Sequence, residues 1–149
     1  MRKKHIIFVC TGNTCRSPMA EIILKTKLKL AGITDVKVSS AGLNAPVGEK
    51  MSKNSALALK QLGYKPVGFK SKQLTREMVE KATMVICMTI NHKLQLLQFN
   101  NVYALKEICG GGDIIDPYGA PLSTYVETSH QLDDACTVIL NKILEVKGD

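Results

Sequence analysis

Short apolar segments alternate with segments of helical periodicity along most of the chain. The run HIIFVC, residues 5–10, is continuously apolar, as expected for a strand that is buried on both faces of a sheet. Residues 36–42, 83–89 and 101–105 predict three further strands. Helical spacing of apolar residues predicts helices over 19–32, 52–63, 75–82, 91–99 and 122–147. Two of these helices end at a glycine, Gly32 and Gly63, and Thr75 suits the first cap position of another.

The order of these segments predicts the fold class. Strands that alternate with helices form a parallel sheet with helices on both faces. Residues 110–121, GGGDIIDPYGAP, contain three consecutive glycines and two prolines and predict a loop before the last helix. Neither a linker nor a repeat interrupts the pattern, so we expect one α/β domain over residues 1–149.

Composition and charge narrow the function classes. With 45% hydrophobic and 22% charged residues, the chain has the composition of an ordinary globular protein. The basic and apolar start, MRKKHIIFVC, is too short for a secretory signal, and no apolar run has the length of a membrane span. The net charge of +7 favours anionic ligands. It is weak evidence for nucleic-acid binding, because the lysines are scattered and only seven aromatic residues accompany them.

Cysteine usage indicates the compartment. The five cysteines have no framework spacing, no CxxC pair and no zinc-type spacing with histidine, so free thiols in a reducing compartment are expected. We therefore expect a cytoplasmic protein, monomeric, without a metal or cofactor, that binds neither nucleic acid nor a membrane.

The segment after the first strand holds the candidate chemistry. Ligands of parallel sheets bind beyond the carboxyl ends of the strands, where Cys10 lies. Gly12 lets the backbone approach a ligand, and we expect Ser17 to cap the next helix, with Pro18 in its first turn. Loop N–H groups and a helix N-terminus form an anion cradle, to which Arg16 adds a fork that matches two phosphate oxygens. The same positive field favours the thiolate of Cys10, which becomes a nucleophile aimed at phosphorus.

A purely structural reading of this segment is weaker. A cysteine at the end of a strand is often a small buried apolar residue, and a cysteine followed six residues later by an arginine is common. An arginine near the start of a helix, however, opposes the helix dipole and is poorly explained as a packing residue. The position after a buried strand and before Ser17 and Pro18 makes the pattern specific for a phosphate site.

The stretch VCTGNTCRSPMAE, residues 9–21, resembles the signature of the low-molecular-weight protein tyrosine phosphatase family. SSAG at 39–42, MVICM at 84–88 and DPYG at 116–119 follow in the order that the family shows. The resemblance implies a four-stranded parallel sheet, with Cys10 as nucleophile and Arg16 as the clamp on the phosphoryl oxygens. It also implies that Asn13, Ser17 and Ser40 hold the loop in shape, and that Ser17 hydrogen-bonds the Cys10 sulfur. The expected substrate-binding residues are Thr11, Gly12, Asn13, Thr14, Cys15, Ser17 and Tyr118.

Asp116 is the candidate general acid. A leaving alkoxide, phenoxide or amine needs a proton, which a nearby carboxylic acid can supply. Asp116 precedes Pro117, which stiffens the backbone, and follows a glycine-rich segment that can move. An Asp-Pro pair alone is a common turn, so the assignment depends on the order of the motifs.

Thr14 bears on the substrate. Family members that act on phosphotyrosine usually carry an aliphatic residue at this position, whereas threonine resembles the bacterial protein arginine phosphatases of the same fold. A hydroxyl there can hydrogen-bond a guanidinium group. Gly119, after Tyr118, leaves one side of the rim without a second aromatic. We expect phosphoarginine in proteins as the substrate, with phosphotyrosine as the alternative and Thr14 then a neutral variation.

Several features depart from the family or are left over. Phe69 occupies the position at which many relatives have a histidine that supports the loop. Thr89 occupies the position at which many eukaryotic relatives have an aspartate. His5, His92 and His130 are isolated in sequence and are interpreted as surface or packing residues. An arsenate reductase of the same fold would need a resolving cysteine pair, which the chain lacks.

Overall fold

The computed structural model describes residues 3–148, in which four parallel strands form one sheet. The strands are β1 (Lys4–Cys10), β2 (Val36–Gly42), β3 (Met84–Cys87) and β4 (Val102–Ala104). Their spatial order is β2-β1-β3-β4, so β1 lies in the interior of the sheet. Central placement explains its continuous apolar sequence, because successive side chains of β1 enter the cores on opposite faces.

Six helices cover the sheet: α1 (Arg16–Leu30), α2 (Lys53–Gln61), α3 (Arg76–Lys81), α4 (Ile90–Leu94), α5 (Leu105–Cys109) and α6 (Leu122–Gly148). Ile6 and Phe8 of β1 belong to the larger core, which α1, α2 and α6 cover. Ile7 and Val9 belong to the smaller core on the other face, which includes Val79 of α3. The predicted fold class, a four-stranded parallel sheet with helices on both faces, is confirmed.

The local predictions differ from the structure at two places. Residues 105–109 form α5, which was not predicted because five residues are too few to show helical periodicity. The side chain of Glu107 accepts the backbone N–H of Ala104 at 2.8 Å and thereby supports the start of this short helix. The helix predicted over 91–99 extends only over Ile90–Leu94. As predicted, Thr75 caps its helix, accepting the Met78 N–H.

A search of helices within residues 3–148 found none with the length and apolar character of a membrane-spanning segment.

Candidate active site

The loop after β1 crosses the carboxyl end of the sheet and leads directly into α1. The carbonyl oxygens of Cys10, Thr11 and Thr14 accept the backbone N–H groups of Leu43, Asn44 and Ser52 at 2.9–3.0 Å. Within residues 3–148, by contrast, the N–H groups of residues 11–15 donate to no protein acceptor. The loop therefore turns its carbonyls outward to the surrounding chain and keeps its amide donors for an anion.

Two backbone features shape this loop. Asn13 has a φ of 54°, a left-handed conformation that asparagine tolerates better than most residues. Gly42, at the end of β2, lies so close to the loop that a Cβ there would be 2.6 Å from the Thr11 carbonyl oxygen and 3.0 Å from the Asn13 nitrogen. The loop can therefore take this path only because residue 42 has no side chain.

A buried hydrogen-bond chain runs from the thiol of Cys10 to a carboxylate on α1. The amide of Asn13 donates to the hydroxyls of Ser17 and Ser40, both at 2.9 Å, and the Ser40 hydroxyl donates to the Glu21 carboxylate at 2.6 Å. The Ser17 hydroxyl lies 2.9 Å from the Cys10 sulfur. Since the Ser17 oxygen already accepts from Asn13, its hydrogen is free to point at the sulfur. The chain thus presents a hydrogen-bond donor to a Cys10 thiolate.

This chain corrects one expectation and supports others. Ser17 does not cap α1: the helix begins at Arg16, and its N-cap residue, Cys15, makes no side-chain cap bond. The Ser17 hydroxyl is engaged by Cys10 and Asn13 instead. The other polar atom of the Asn13 side chain, its carbonyl oxygen, accepts the backbone N–H of Lys72 at 2.8 Å. The side chain of Asn13 is therefore fully hydrogen-bonded, which stabilises the left-handed turn.

Arg16 is buried beneath the loop, with its guanidinium fixed from one side. One terminal nitrogen donates to the Ile114 carbonyl oxygen at 3.0 Å, and the other lies 3.7 Å from a carboxylate oxygen of Asp116. The side chain of Asp116 is half exposed, and its second oxygen accepts the Tyr118 backbone N–H at 3.0 Å. The 110–121 loop thus brings a carboxyl group and a buried cation to the same place.

One pocket of about 340 Å³ collects most of the predicted site. Asn13 and Ser17, which are among the expected substrate-binding residues, do not line it; they and Ser40 are buried and are joined by the hydrogen bonds of the Asn13 amide. Tyr118, 80% exposed, forms part of the outer wall. The lining also includes Pro46, which the sequence did not single out. The pocket is lined by Cys10, Thr11, Gly12, Thr14, Cys15, Arg16, Pro46, Asp116 and Tyr118.

Two supporting residues were missed by the sequence reasoning. Glu21 is 5% exposed and ends the Cys10 chain, with Lys25 as an ion-pair partner at 2.6 Å. The sequence pattern that could have indicated Glu21 is an acidic residue within an otherwise apolar helical segment. His92 is buried and not isolated, because its Nε2 lies 3.0 Å from the Thr11 hydroxyl. The sequence pattern that could have indicated a bonded His92 is its position three residues after Thr89, at the start of a helix, which is the spacing of a capping box.

The departures from the family have a structural explanation. Phe69 is buried in the larger core, so the loop network receives no hydrogen bond from that position. Glu21 and Lys25 close the network instead. Thr89 is the N-cap of α4, where its hydroxyl accepts the His92 N–H at 3.2 Å.

Two further cysteines lie outside the pocket. Cys87 is fully buried in β3, and burial raises the pKa of its thiol to about 12. Cys109 donates to the Ala135 carbonyl oxygen on α6, away from the pocket. Over residues 3–148, no three His, Cys, Asp or Glu side chains are grouped as metal ligands. The pocket can hold a small anion between the thiol of Cys10 and the carboxyl group of Asp116.

Comparison with known proteins agrees with this geometry. Residues 5–148 match the family model described as low molecular weight phosphotyrosine protein phosphatase. A protein-arginine-phosphatase of Bacillus subtilis is 40% identical over 138 residues, which cover 87% of this chain and 89% of that protein. A low molecular weight protein-tyrosine-phosphatase of Staphylococcus haemolyticus is 37% identical, with coverages of 86% and 91%. The structure of the YwlE arginine phosphatase from Geobacillus stearothermophilus superposes with a TM-score of 0.88 at 34% identity, covering 97% of this chain and 95% of that one.

Proposed function

The chain belongs to the low-molecular-weight phosphotyrosine protein phosphatase family, and we propose that it is a cysteine-dependent phosphatase that removes phosphate from arginine side chains of proteins. The observation that carries the proposal is the shared pocket of Cys10, Arg16 and Asp116 beneath the free loop amides. A nucleophile, a cationic clamp and an acid are the groups that phosphoryl transfer through a covalent intermediate requires.

In the first step, the Cys10 thiolate attacks phosphorus in line with the bond to the leaving group. Arg16 and the loop N–H groups bind the phosphoryl oxygens and stabilise the negative charge of the transition state. The bond between phosphorus and the leaving guanidino nitrogen breaks, and protonated Asp116 donates its proton to that nitrogen. The products of this step are the guanidinium group of arginine, ionised Asp116 and a phosphocysteine.

In the second step, water hydrolyses the phosphocysteine. Ionised Asp116 takes a proton from the attacking water, the phosphorus–sulfur bond breaks, and the sulfur leaves as a thiolate. The Ser17 hydroxyl, which points its hydrogen at the sulfur, stabilises that thiolate in both steps. The chain from Asn13 through Ser40 to Glu21 fixes the direction of this hydrogen bond.

Thr14 supports arginine as the substrate side chain. It contributes to the pocket wall, where its hydroxyl offers a hydrogen bond to a planar and polar guanidinium group. A second aromatic side chain next to Tyr118 would help to hold a phenyl ring. Residue 119 is instead a glycine, with a φ of 79° in the left-handed region. Both features favour phosphoarginine over phosphotyrosine.

The partners are proposed to be phosphorylated proteins. We infer that residues 1–149 act as one phosphatase domain, as a monomer in the cytoplasm and without a metal or cofactor. The match of the family model to residues 5–148 supports a single catalytic domain.

Replacement of the nucleophile tests the reaction. Cys10→Ser should abolish turnover of p-nitrophenyl phosphate and of a phosphoarginine peptide, while vanadate still binds through Arg16 and the loop amides. Cys109→Ser, which changes a thiol outside the pocket, is the matched control and should retain wild-type turnover. Hydrolysis by Cys10→Ser at the wild-type rate would remove Cys10 from the mechanism.

A further inference from the structure

His92 makes a directed bridge between α4 and the phosphate loop. Its Nδ1 lies 3.2 Å from the backbone nitrogen of Thr89, and its Nε2 lies 3.0 Å from the hydroxyl of Thr11. A backbone N–H can only donate, so Nδ1 is the acceptor of that bond. In the neutral ring the hydrogen is then on Nε2, and His92 donates to the Thr11 oxygen.

The environment keeps this ring neutral. His92 is 5% exposed, and burial lowers its pKa to about 4, with the nearby Arg16 guanidinium acting in the same direction. The carboxylates of Asp113 and Asp116 oppose the shift without cancelling it. The donor direction toward Thr11 therefore persists at neutral pH.

This direction has a consequence for Thr11. With one lone pair of its oxygen occupied by His92, the Thr11 hydroxyl keeps its own hydrogen to donate. Thr11 is exposed and lines the pocket, and no other side-chain or backbone group within residues 3–148 bonds its hydroxyl. A hydroxyl that accepts a hydrogen bond also becomes a better donor. The hydrogen of the Thr11 hydroxyl is therefore available to a ligand in the pocket.

The turn that carries His92 also holds the loop of the general acid. The Met88 carbonyl oxygen accepts the Ile114 N–H at 3.1 Å, and the Asp113 carboxylate accepts the Ile90 N–H at 3.0 Å. Residues 88–92 thus contact the phosphate loop at Thr11 and the acid loop two to three residues before Asp116. One short turn connects both sides of the pocket.

We propose that His92 is a positioning residue, which directs the Thr11 hydroxyl to donate a hydrogen bond to a phosphoryl oxygen of the substrate. The inference rests on the proposed function only in requiring a phosphoryl group in the pocket, and it does not depend on whether arginine or tyrosine carries that group.

A capping role alone would explain only part of this geometry. The Nδ1 bond to Thr89 completes a capping box at the start of α4, which glutamine at this position also forms. The bond from Nε2 to Thr11 leaves the helix and contributes nothing to the cap. The two roles can therefore be separated by substitution.

A double-mutant cycle tests the proposal with p-nitrophenyl phosphate, for kcat/KM, and with vanadate, for affinity. Thr11→Val removes the hydroxyl and keeps the branched shape, and His92→Leu removes the imidazole donor. Each should lower kcat/KM about tenfold and weaken vanadate binding to a similar degree, as expected for a hydrogen bond to a charged group. The double variant should be no worse than Thr11→Val, because both changes remove the same contact.

Two further variants keep the cycle decisive if His92→Leu folds poorly. His92→Gln retains an acceptor for Thr89 and a donor for Thr11, so it should recover most of the lost activity. Thr89→Val removes the cap hydroxyl but leaves the bond from His92 to Thr11, so it should lower the melting temperature and preserve kcat/KM. A Thr11→Val variant with wild-type kcat/KM and vanadate affinity, or strictly additive losses, would overturn the proposal. Absence of any turnover by the wild type would instead refute the proposed function.

Discussion

Gly42→Ala should damage the active site without replacing any residue that contacts the substrate. The added Cβ would lie 2.6 Å from the Thr11 carbonyl oxygen and 2.8 Å from the Ala45 Cβ. Carbon and carbonyl oxygen normally approach no closer than about 3.3 Å, so the loop has to retreat by about 0.7 Å. The obstacle is backbone, and that carbonyl also accepts the Asn44 N–H, so it cannot turn aside cheaply.

A displacement of this size is large for catalysis and moderate for stability. Misplacement of reacting groups by about 1 Å costs about a hundredfold, so we expect kcat/KM for p-nitrophenyl phosphate to fall by about tenfold to a hundredfold. Overpacking should lower the free energy of unfolding by about 1–3 kcal/mol, measured by urea denaturation. Gly112→Ala is the control: its Cβ would meet no atom within 4 Å, and its φ is outside the left-handed region. Gly42→Ala with kcat/KM within about twofold of wild type would refute the proposed fit between loop and strand.

Three other predictions concern single groups. In steady-state assays, Asp116→Asn should slow the hydrolysis of substrates with basic leaving groups by about 10²–10⁴-fold and that of activated aryl phosphates far less. An equal loss across the leaving-group series would make Asp116 merely structural. Peroxide should link Cys10 to Cys15, which are five residues apart in one loop, and mass spectrometry should find a reversible disulfide; sulfinic acid on Cys10 beside a free Cys15 would contradict this. Because burial lowers the His92 pKa from 6.5 to about 4, only the unfolded chain binds that proton between these pH values. The free energy of unfolding should therefore fall by about 2.5 kcal/mol as the pH is lowered from 6.5 to 4, and His92→Gln should lose this dependence in urea titrations at several pH values.

The fold was predictable because its elements carry strong local signals. The apolar run of β1 and the long periodic segment of α6 are both in the structure with nearly the predicted bounds. Gly32 and Gly63 follow the ends of α1 and α2 with φ values of 72° and 90°, as glycines after helices commonly do. The five residues of α5 gave no comparable signal, because a single helical turn depends on what it packs against.

The candidate site was predictable in part for the same reason. Cys10 and Arg16 lie within one short segment, and their spacing indicated an anion site because the segment follows a buried strand and leads into Ser17 and Pro18. The contact between His92 and Thr11 joins residues 81 positions apart, and the contact of Gly42 with the loop depends on the path of β2. Contacts of this kind follow from the packing of the sheet and have no pattern in the local sequence.

The preference between phosphoarginine and phosphotyrosine tests the proposed function most directly. The measurement is kcat/KM for matched phosphoarginine and phosphotyrosine peptides, with the wild type and with Thr14→Ile. Thr14→Ile keeps the β-branch and removes the hydroxyl, and p-nitrophenyl phosphate serves as the control for an intact loop. We predict that the wild type prefers phosphoarginine. Loss of a hydrogen bond worth about 0.5–1.5 kcal/mol should lower the activity of the variant on phosphoarginine several-fold and spare its activity on phosphotyrosine. A wild type that prefers phosphotyrosine, with a ratio that Thr14→Ile leaves unchanged, would contradict the assignment to arginine.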